Sequence, residues 1–218
     1  MTHPSAARHD RELSSPTDRY AERIQPRTSS LALRARLIER ETANLAEAFA
    51  RFGRDDALVE AAALVVAARR RFIAGYGKSF AYATLLAWDL AAGLSKVSLI
   101  DGTTVRPLDV LSDTGPSDVL VAFSFRRYHR QTVQLAEQFM LAGGVVIAIT
   151  DDAGAPLTTH AEQTLIVPTG SASYVDSPTA VAAISHLLSA LTTASAKGAR
   201  RRLAKRDRLS ALLHDYAE

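Results

Sequence analysis

The chain has 218 residues, of which 47% are hydrophobic and 22% charged, and it has no cysteine. That size and balance suit one α/β domain with additional helices, and the missing thiols exclude disulfides and thiolate metal or redox chemistry. The net charge of +3 is uneven, because seven basic residues between Lys197 and Arg208 stand against Asp207 alone. The basic character therefore belongs to one tail segment, and the body offers no broad nucleic-acid-binding face.

Residues 1–34 are polar, with Pro4, Pro16 and Pro26, and read as an arm or linker with a short helix near Thr17–Ile24. No apolar run is long enough to span a bilayer, and the N-terminus lacks the apolar core of a secretory signal, so a cytoplasmic protein is expected. From Ser30 to Phe52, Leu37, Ile38, Leu45 and Phe49 recur at helical spacing, and Gly53 ends the run. Asp55 is placed to cap a second helix that buries Leu58, Ala62, Val65 and Val66.

The rhythm then changes to strands alternating with helices. "RRFIAG", "KVSLI", "DVLVAFS", "GVVIAIT" and "QTLIVP" read as strands. "SFAYATLLAWDLAAG" and "YHRQTVQLAEQFMLAG" read as helices closed by glycine, and a short helix starts near Ala155-Pro156-Leu157. A further helix follows Ser177 as N-cap with Pro178 at its first position, and residues 197–216 form a basic amphipathic helix with Leu203, Leu209, Leu212 and Leu213. Strands that are apolar throughout and alternate with helices predict a five-stranded parallel sheet covered on both faces. The expected fold is thus a three-layer α/β/α sandwich of the flavodoxin or Rossmann type, with extra N- and C-terminal helices. Trp88 and Tyr82 are expected in the core, and His186 at a core or interface position.

Ligands bind open parallel sheets beyond the carboxyl ends of the strands, which selects three loops. The first is "GYGKS", where Gly75 and Gly77 allow close backbone approach, Ser79 sits at a helix N-terminus and Lys78 adds charge. It reads either as a phosphate cradle or as a tight turn. It is neither a P-loop nor a dinucleotide fingerprint, since the further glycine and lysine spacings are missing. The second follows Ser124, where Arg126 and Arg127 occupy the turn before a helix. Guanidinium forks suit phosphate and carboxylate oxygens, whereas a turn by itself favours glycine or asparagine. In the third, Asp151 and Asp152 read as turn and cap residues before metal ligands. His129 and His160 lie near these loops.

The stretches "RRFIAGYGKS" and "DVLVAFSFRRYHRQTVQLAEQFMLAGGVVIAITDDAGAPLTTHAEQTLIVPT" resemble the SIS (sugar isomerase) domain of the MurR/RpiR family of bacterial transcriptional regulators. The resemblance covers about residues 35–195, and "RLIERETANLAEAF" is similar to the helix that precedes the SIS core. It implies a phosphosugar effector, a homodimer, no cofactor and no catalytic residue. Ser79 and Ser124 match the family's ligand serines. The family's S-x-S-G-x-T loop is replaced here by Ser124, Phe125, Arg126, Arg127, Tyr128 and His129, which points to a more acidic ligand. Ala155 likewise stands where a serine is common.

The ligand set expected from residues and resemblance together is Gly75, Gly77, Lys78, Ser79, Ser124, Phe125, Arg126, Arg127, His129 and Thr132. No helix-turn-helix signature is found, so DNA is expected only through such a domain absent from this chain. The domain organisation expected is a linker to residue 34, an SIS domain over 35–196 and a basic helix over 197–218. An aldose–ketose isomerase is the alternative, with His129 as the one well-placed base. A nucleotide-binding enzyme would need Asp101 as its ribose acid.

Overall fold

The computed structural model describes residues 15–24 and 29–214. In chain order it contains α1 (Pro16–Arg23), α2 (Ser30–Phe52), α3 (Ala57–Ala67), β1 (Arg70–Gly75), α4 (Ser79–Gly93), β2 (Val97–Leu99) and α5 (Pro107–Asp113). Then follow β3 (Asp118–Phe123), α6 (Arg130–Leu141), β4 (Val145–Thr150), a 3₁₀ turn (Pro156–His160), β5 (Gln163–Ile166), α7 (Thr179–Ser195) and α8 (Ala199–Leu213). The expected parts of the arm and tail at 1–14, 25–28 and 215–218 lie outside the described residues.

The five strands form one parallel sheet in the order β2-β1-β3-β4-β5. Because strand side chains alternate, each strand feeds two cores. Ile73, Val121, Phe123, Ile147 and Leu165 pack with α3, α4 and α7 on one face. Phe72, Leu120, Ala122 and Val146 pack with α5, α6 and the 3₁₀ turn on the other. This is the three-layer architecture that the apolar strands predict. Phe139 is fully buried and meets Phe72 edge-on at 5.9 Å, so truncating it to alanine would cost about 3–5 kcal/mol.

β1 and β3 begin side by side, with Arg70 in register with Asp118. Arg70 donates to both Asp118 carboxylate oxygens, at 3.0 and 2.7 Å, and Asp118 also accepts the Gly115 N–H at 3.0 Å. These bonds hold the buried Asp118 carboxyl below its ordinary pKa, the Arg70 hydrogen bond contributing most.

The structure corrects several expectations. α2 buries Asn44 and Ala48 with Leu37 and Leu45 half-buried beside them, while Ile38 and Phe49 face outward, so only half of its apolar stripe packs. α3 begins at Ala57, with Asp56 rather than Asp55 at the N-cap and no side-chain cap. α7 begins at Thr179, one residue late, although Ser177 Oγ still accepts the Thr179 N–H at 3.2 Å. Trp88 is 74% exposed, because α4 is apolar all round and only one side meets the core; Tyr82 is buried as expected. His186 is exposed beside the buried Ser185, which overturns the core half of its core-or-interface expectation. α5 was not anticipated: at seven residues it is too short for periodicity, and its only signal is Pro107 at N1, with the Arg106–Asp109 pair at 2.8 Å beside it. Gly93 does more than end α4. A Cβ there would lie 2.6 Å from Thr193 Cγ2, so the glycine lets α4 and α7 approach closely.

Candidate ligand-binding site

The strand order places a switch point between β1 and β3. The chain runs from β1 outward to β2, then returns to place β3 on the other side of β1. The loops leaving β1 and β3 therefore diverge and open a crevice at their carboxyl ends. A cleft of about 240 Å³ lies there.

The first wall is the turn from Gly75 to Ser79. A Cβ on Gly75 would lie 2.5 Å from the Ser79 carbonyl oxygen, and Gly77 has a φ of +58°, so both glycines are required by the turn. Ser79 opens α4 and lines the cleft, with Lys78 before it. The Ser79, Phe80 and Ala81 N–H groups bond back to Tyr76, Gly77 and Lys78 carbonyls at 3.1–3.2 Å. Lys78 donates to the Asp176 carbonyl, and burial lowers its ammonium pKa against the opposing pull of the Asp176 carboxylate.

The second wall is the turn after β3, contributing Phe125, Arg126, Arg127 and His129. The His129 ring stacks on Tyr76 at 5.3 Å and 18°, joining the two loops. Phe125 meets Tyr82 edge-on at 5.7 Å, and burial pushes the Tyr82 phenol up to about 12. Arg126 turns toward the third loop, with Nη2 3.7 Å from Asp151 Oδ2. The Tyr128 hydroxyl also donates to Asp151, and burial with that neighbouring charge raises its pKa to about 12. Burial raises the Asp151 carboxyl despite Arg126. Asp152 is a turn residue, accepting the Gly154 N–H at 2.8 Å.

The third wall and roof come from distant chain. The segment Tyr174–Ser177 borders the cleft, and α1 crosses it with Pro16 and Arg19. Arg19 donates to Asp176 Oδ2 at 2.7 Å, Arg23 lies 3.7 Å from Asp176 Oδ1 and donates to the Ser173 carbonyl at 2.9 Å, and Tyr20 leans on Tyr174. Among the described residues Asp176 is the only carboxylate lining the cleft, and two guanidiniums already neutralise it.

Seven of the ten expected residues thus share one cleft: Gly77, Lys78, Ser79, Phe125, Arg126, Arg127 and His129. Gly75, Ser124 and Thr132 lie behind it. Ser124 and Thr132 are fully buried, and their side-chain oxygens find no hydrogen-bond partner among the described residues. His160 closes the 3₁₀ turn and does not line the cleft. Asp101 accepts three backbone N–H groups from Thr103, Thr104 and Val105 at 2.8–2.9 Å, so its carboxylate serves a turn. Arg19, Tyr76, Tyr82 and Asp176 were not foreseen. A tyrosine between two required glycines was the one local hint for Tyr76; the other contacts form between residues remote in sequence.

Solved structures share this fold. The sugar isomerase domain of an RpiR transcription factor from Sphaerobacter thermophilus superposes with a TM-score of 0.73 at 22% identity, over 81% of this chain and 98% of that one. The Vibrio vulnificus NanR protein, solved in complex with ManNAc-6P, gives 0.66 at 15% identity, over 81% of this chain and 69% of that one. A Methanococcus jannaschii protein, whose structure was taken to infer 3-hexulose-6-phosphate isomerase function, gives 0.60 at 17% identity, over 78% and 96%. No curated protein sequence matches the chain. The SIS domain model matches residues 64–196, more than half of the sequence, and the chain belongs to the SIS domain family.

Proposed function

We propose that this chain is an effector-sensing SIS domain of the MurR/RpiR type, binding a phosphorylated sugar or related small anion in the cleft between β1 and β3. The observation that carries this reading is the charge of the cleft. Arg19, Lys78, Arg126 and Arg127 line it against a single carboxylate, Asp176, which is already paired. An anion entering there gains guanidinium and ammonium partners and meets no unpaired acid. The solved NanR complex with ManNAc-6P supports the phosphosugar class. The turn arginines favour a ligand with a second acidic group, such as a sugar acid phosphate.

The same arrangement argues against the isomerase reading. Proton transfer between adjacent carbons needs a free base in reach of the ligand. Asp176 is held by Arg19 and Arg23, Lys78 is engaged with the Asp176 carbonyl, and among the described carboxylate and imidazole groups of the cleft His129 remains. A sensor of this kind would act as a cytoplasmic homodimer, and outward-facing Ile38, Phe49 and Trp88 supply apolar surface for pairing. In a regulator, ligand binding would shift the geometry between subunits and so the affinity for DNA.

The test is a thermal-shift screen with phosphosugars and sugar acid phosphates. The expected result is a rise in melting temperature that is abolished in the Ser79→Ala, Arg127→Ala double variant. No shift with any such compound overturns the sensor reading, and turnover lost in His129→Ala would establish the isomerase.

A further inference from the structure

The opposite end of the molecule holds a second cavity, of about 760 Å³, between α8 and the C-terminal ends of α3, α4 and α7. Arg71, Lys197, Arg201, Arg202, Lys205 and Arg208 line it, and among the described residues no aspartate or glutamate does. Helix α4 runs between the two cavities, with Ser79 at the first and Gly93 at the second.

Two of the six cations are accounted for by the fold. Arg71 donates to the Val65 and Val66 carbonyls at the end of α3, at 2.6 and 2.8 Å, and to Ser95 at 3.2 Å. Arg202 donates twice to the Ala91 carbonyl in the last turn of α4, at 3.2 and 3.1 Å. These are carbonyls that a helix end leaves without an intrahelical partner. Lys197, Arg201, Lys205 and Arg208 have no hydrogen-bond or ion-pair partner among the described residues.

The magnitudes leave a large excess of positive charge. Three helix C-termini contribute roughly half a negative charge each, about −1.5 together, against six full positive charges. Arg201, Lys205 and Arg208 also share one face of α8 at spacings of four and three residues, where like charges repel by about 0.2–0.5 kcal/mol per pair. On a convex surface water would screen this. Here water still reaches the exposed Lys197, Arg201, Lys205 and Arg208, but they line a concavity walled by Val66, Leu94 and Ala196, which focuses the field.

We infer that this cavity is a second anion-binding site, built for a compact ligand carrying two or more linked phosphate groups. One phosphate monoester, at most −2, leaves most of the excess unmatched. Arg201 and Arg208 lie about 10 Å apart along α8, the reach of a short polyphosphate chain rather than of one phosphate. The volume lies in the range of small-molecule sites, and the enclosing helix ends disfavour a duplex. The inference stands apart from whatever occupies the cleft at the strand ends.

The experiment is calorimetric titration of the full chain at low salt with orthophosphate, tripolyphosphate, ATP and a short DNA duplex. Tripolyphosphate and ATP should bind, and orthophosphate at least roughly tenfold more weakly. Lys205→Ala with Arg208→Ala should weaken tripolyphosphate roughly tenfold or more. Both residues are exposed, and an unchanged melting temperature without ligand shows that the variant keeps its fold. Absence of tripolyphosphate binding, binding indifferent to the double variant, or tighter binding of the duplex each overturns the inference.

Discussion

Arg19 Nη1 lies 2.7 Å from Asp176 Oδ2, with Arg19 almost fully buried and Asp176 one-fifth exposed. That contact fastens α1 across the candidate ligand cleft, and it makes two opposite effects follow from one substitution. Asp176→Asn removes the carboxylate that Arg19 and Arg23 share, so α1 opens more often. Amides of α1 are expected to lose roughly tenfold in hydrogen-exchange protection, about 1–2 kcal/mol. The same substitution removes the carboxylate lining the cleft, so a phosphosugar should bind several-fold more tightly by calorimetry. A parallel loss of protection and affinity would show that α1 itself supplies the binding energy.

Ser124 and Thr132 bury side-chain oxygens that have no partner among the described residues. A buried hydroxyl without a hydrogen bond costs about 1–3 kcal/mol of desolvation. Ser124→Ala and Thr132→Val keep shape closely, so each is expected to raise the ligand-free melting temperature, by up to about 1 kcal/mol of stability in denaturant titrations. A fall in stability would mean that an ordered water satisfies these groups. If Ser124 serves the ligand, as its place at the end of β3 suggests, phosphosugar affinity should drop in Ser124→Ala while stability rises.

Much of this was legible in the chain because the strands are apolar from end to end. β1, β3 and β4 are buried on both faces, which leaves no polar alternation and marks them as parallel. Gly75 and Gly77 mark the first turn, and the polar run that follows the apolar strand ending at Phe123 marks the second, so the loops at Gly75–Ser79 and Ser124–His129 are placed at the ligand end by the sequence. Long-range contacts left no such trace. The Arg19–Asp176 bond spans 157 residues, and neither neighbourhood carries a motif. Trp88 misled for a related reason: α4 is apolar all round, so its sequence does not show which face meets the sheet.

Asp118 anchors the starts of β1 and β3, and its carboxyl pKa is depressed by Arg70. A depressed carboxyl contributes stability that is fully present above the unfolded value, about 3.9, and is lost as pH falls through the folded value. Asp118→Asn should therefore cost about 2–3 kcal/mol at neutral pH, at the lower end for a buried pair because Arg70 is one-quarter exposed. The loss should shrink as the pH is taken below about 4, where the wild type loses the same interaction. Urea melts at several pH values check this; a pH-independent difference would assign the cost to packing.

Asp151 has the opposite sign. Burial raises its carboxyl pKa, and the nearby Arg126 only partly offsets this. The folded state then holds the proton to higher pH than the unfolded chain, so stability falls as pH rises through the window above about 3.9. Asp151→Asn removes that slope and keeps an acceptor for the Tyr128 hydroxyl. The variant should match the wild type in acid and exceed it at neutral pH, and because Asp118 pulls the other way the comparison is cleanest in an Asp118→Asn background. A variant less stable than wild type at neutral pH would show that the Arg126 ion pair outweighs the desolvation of Asp151. In that case Arg126 would be held by the protein, leaving Arg127 as the guanidinium of that turn offered to an anion.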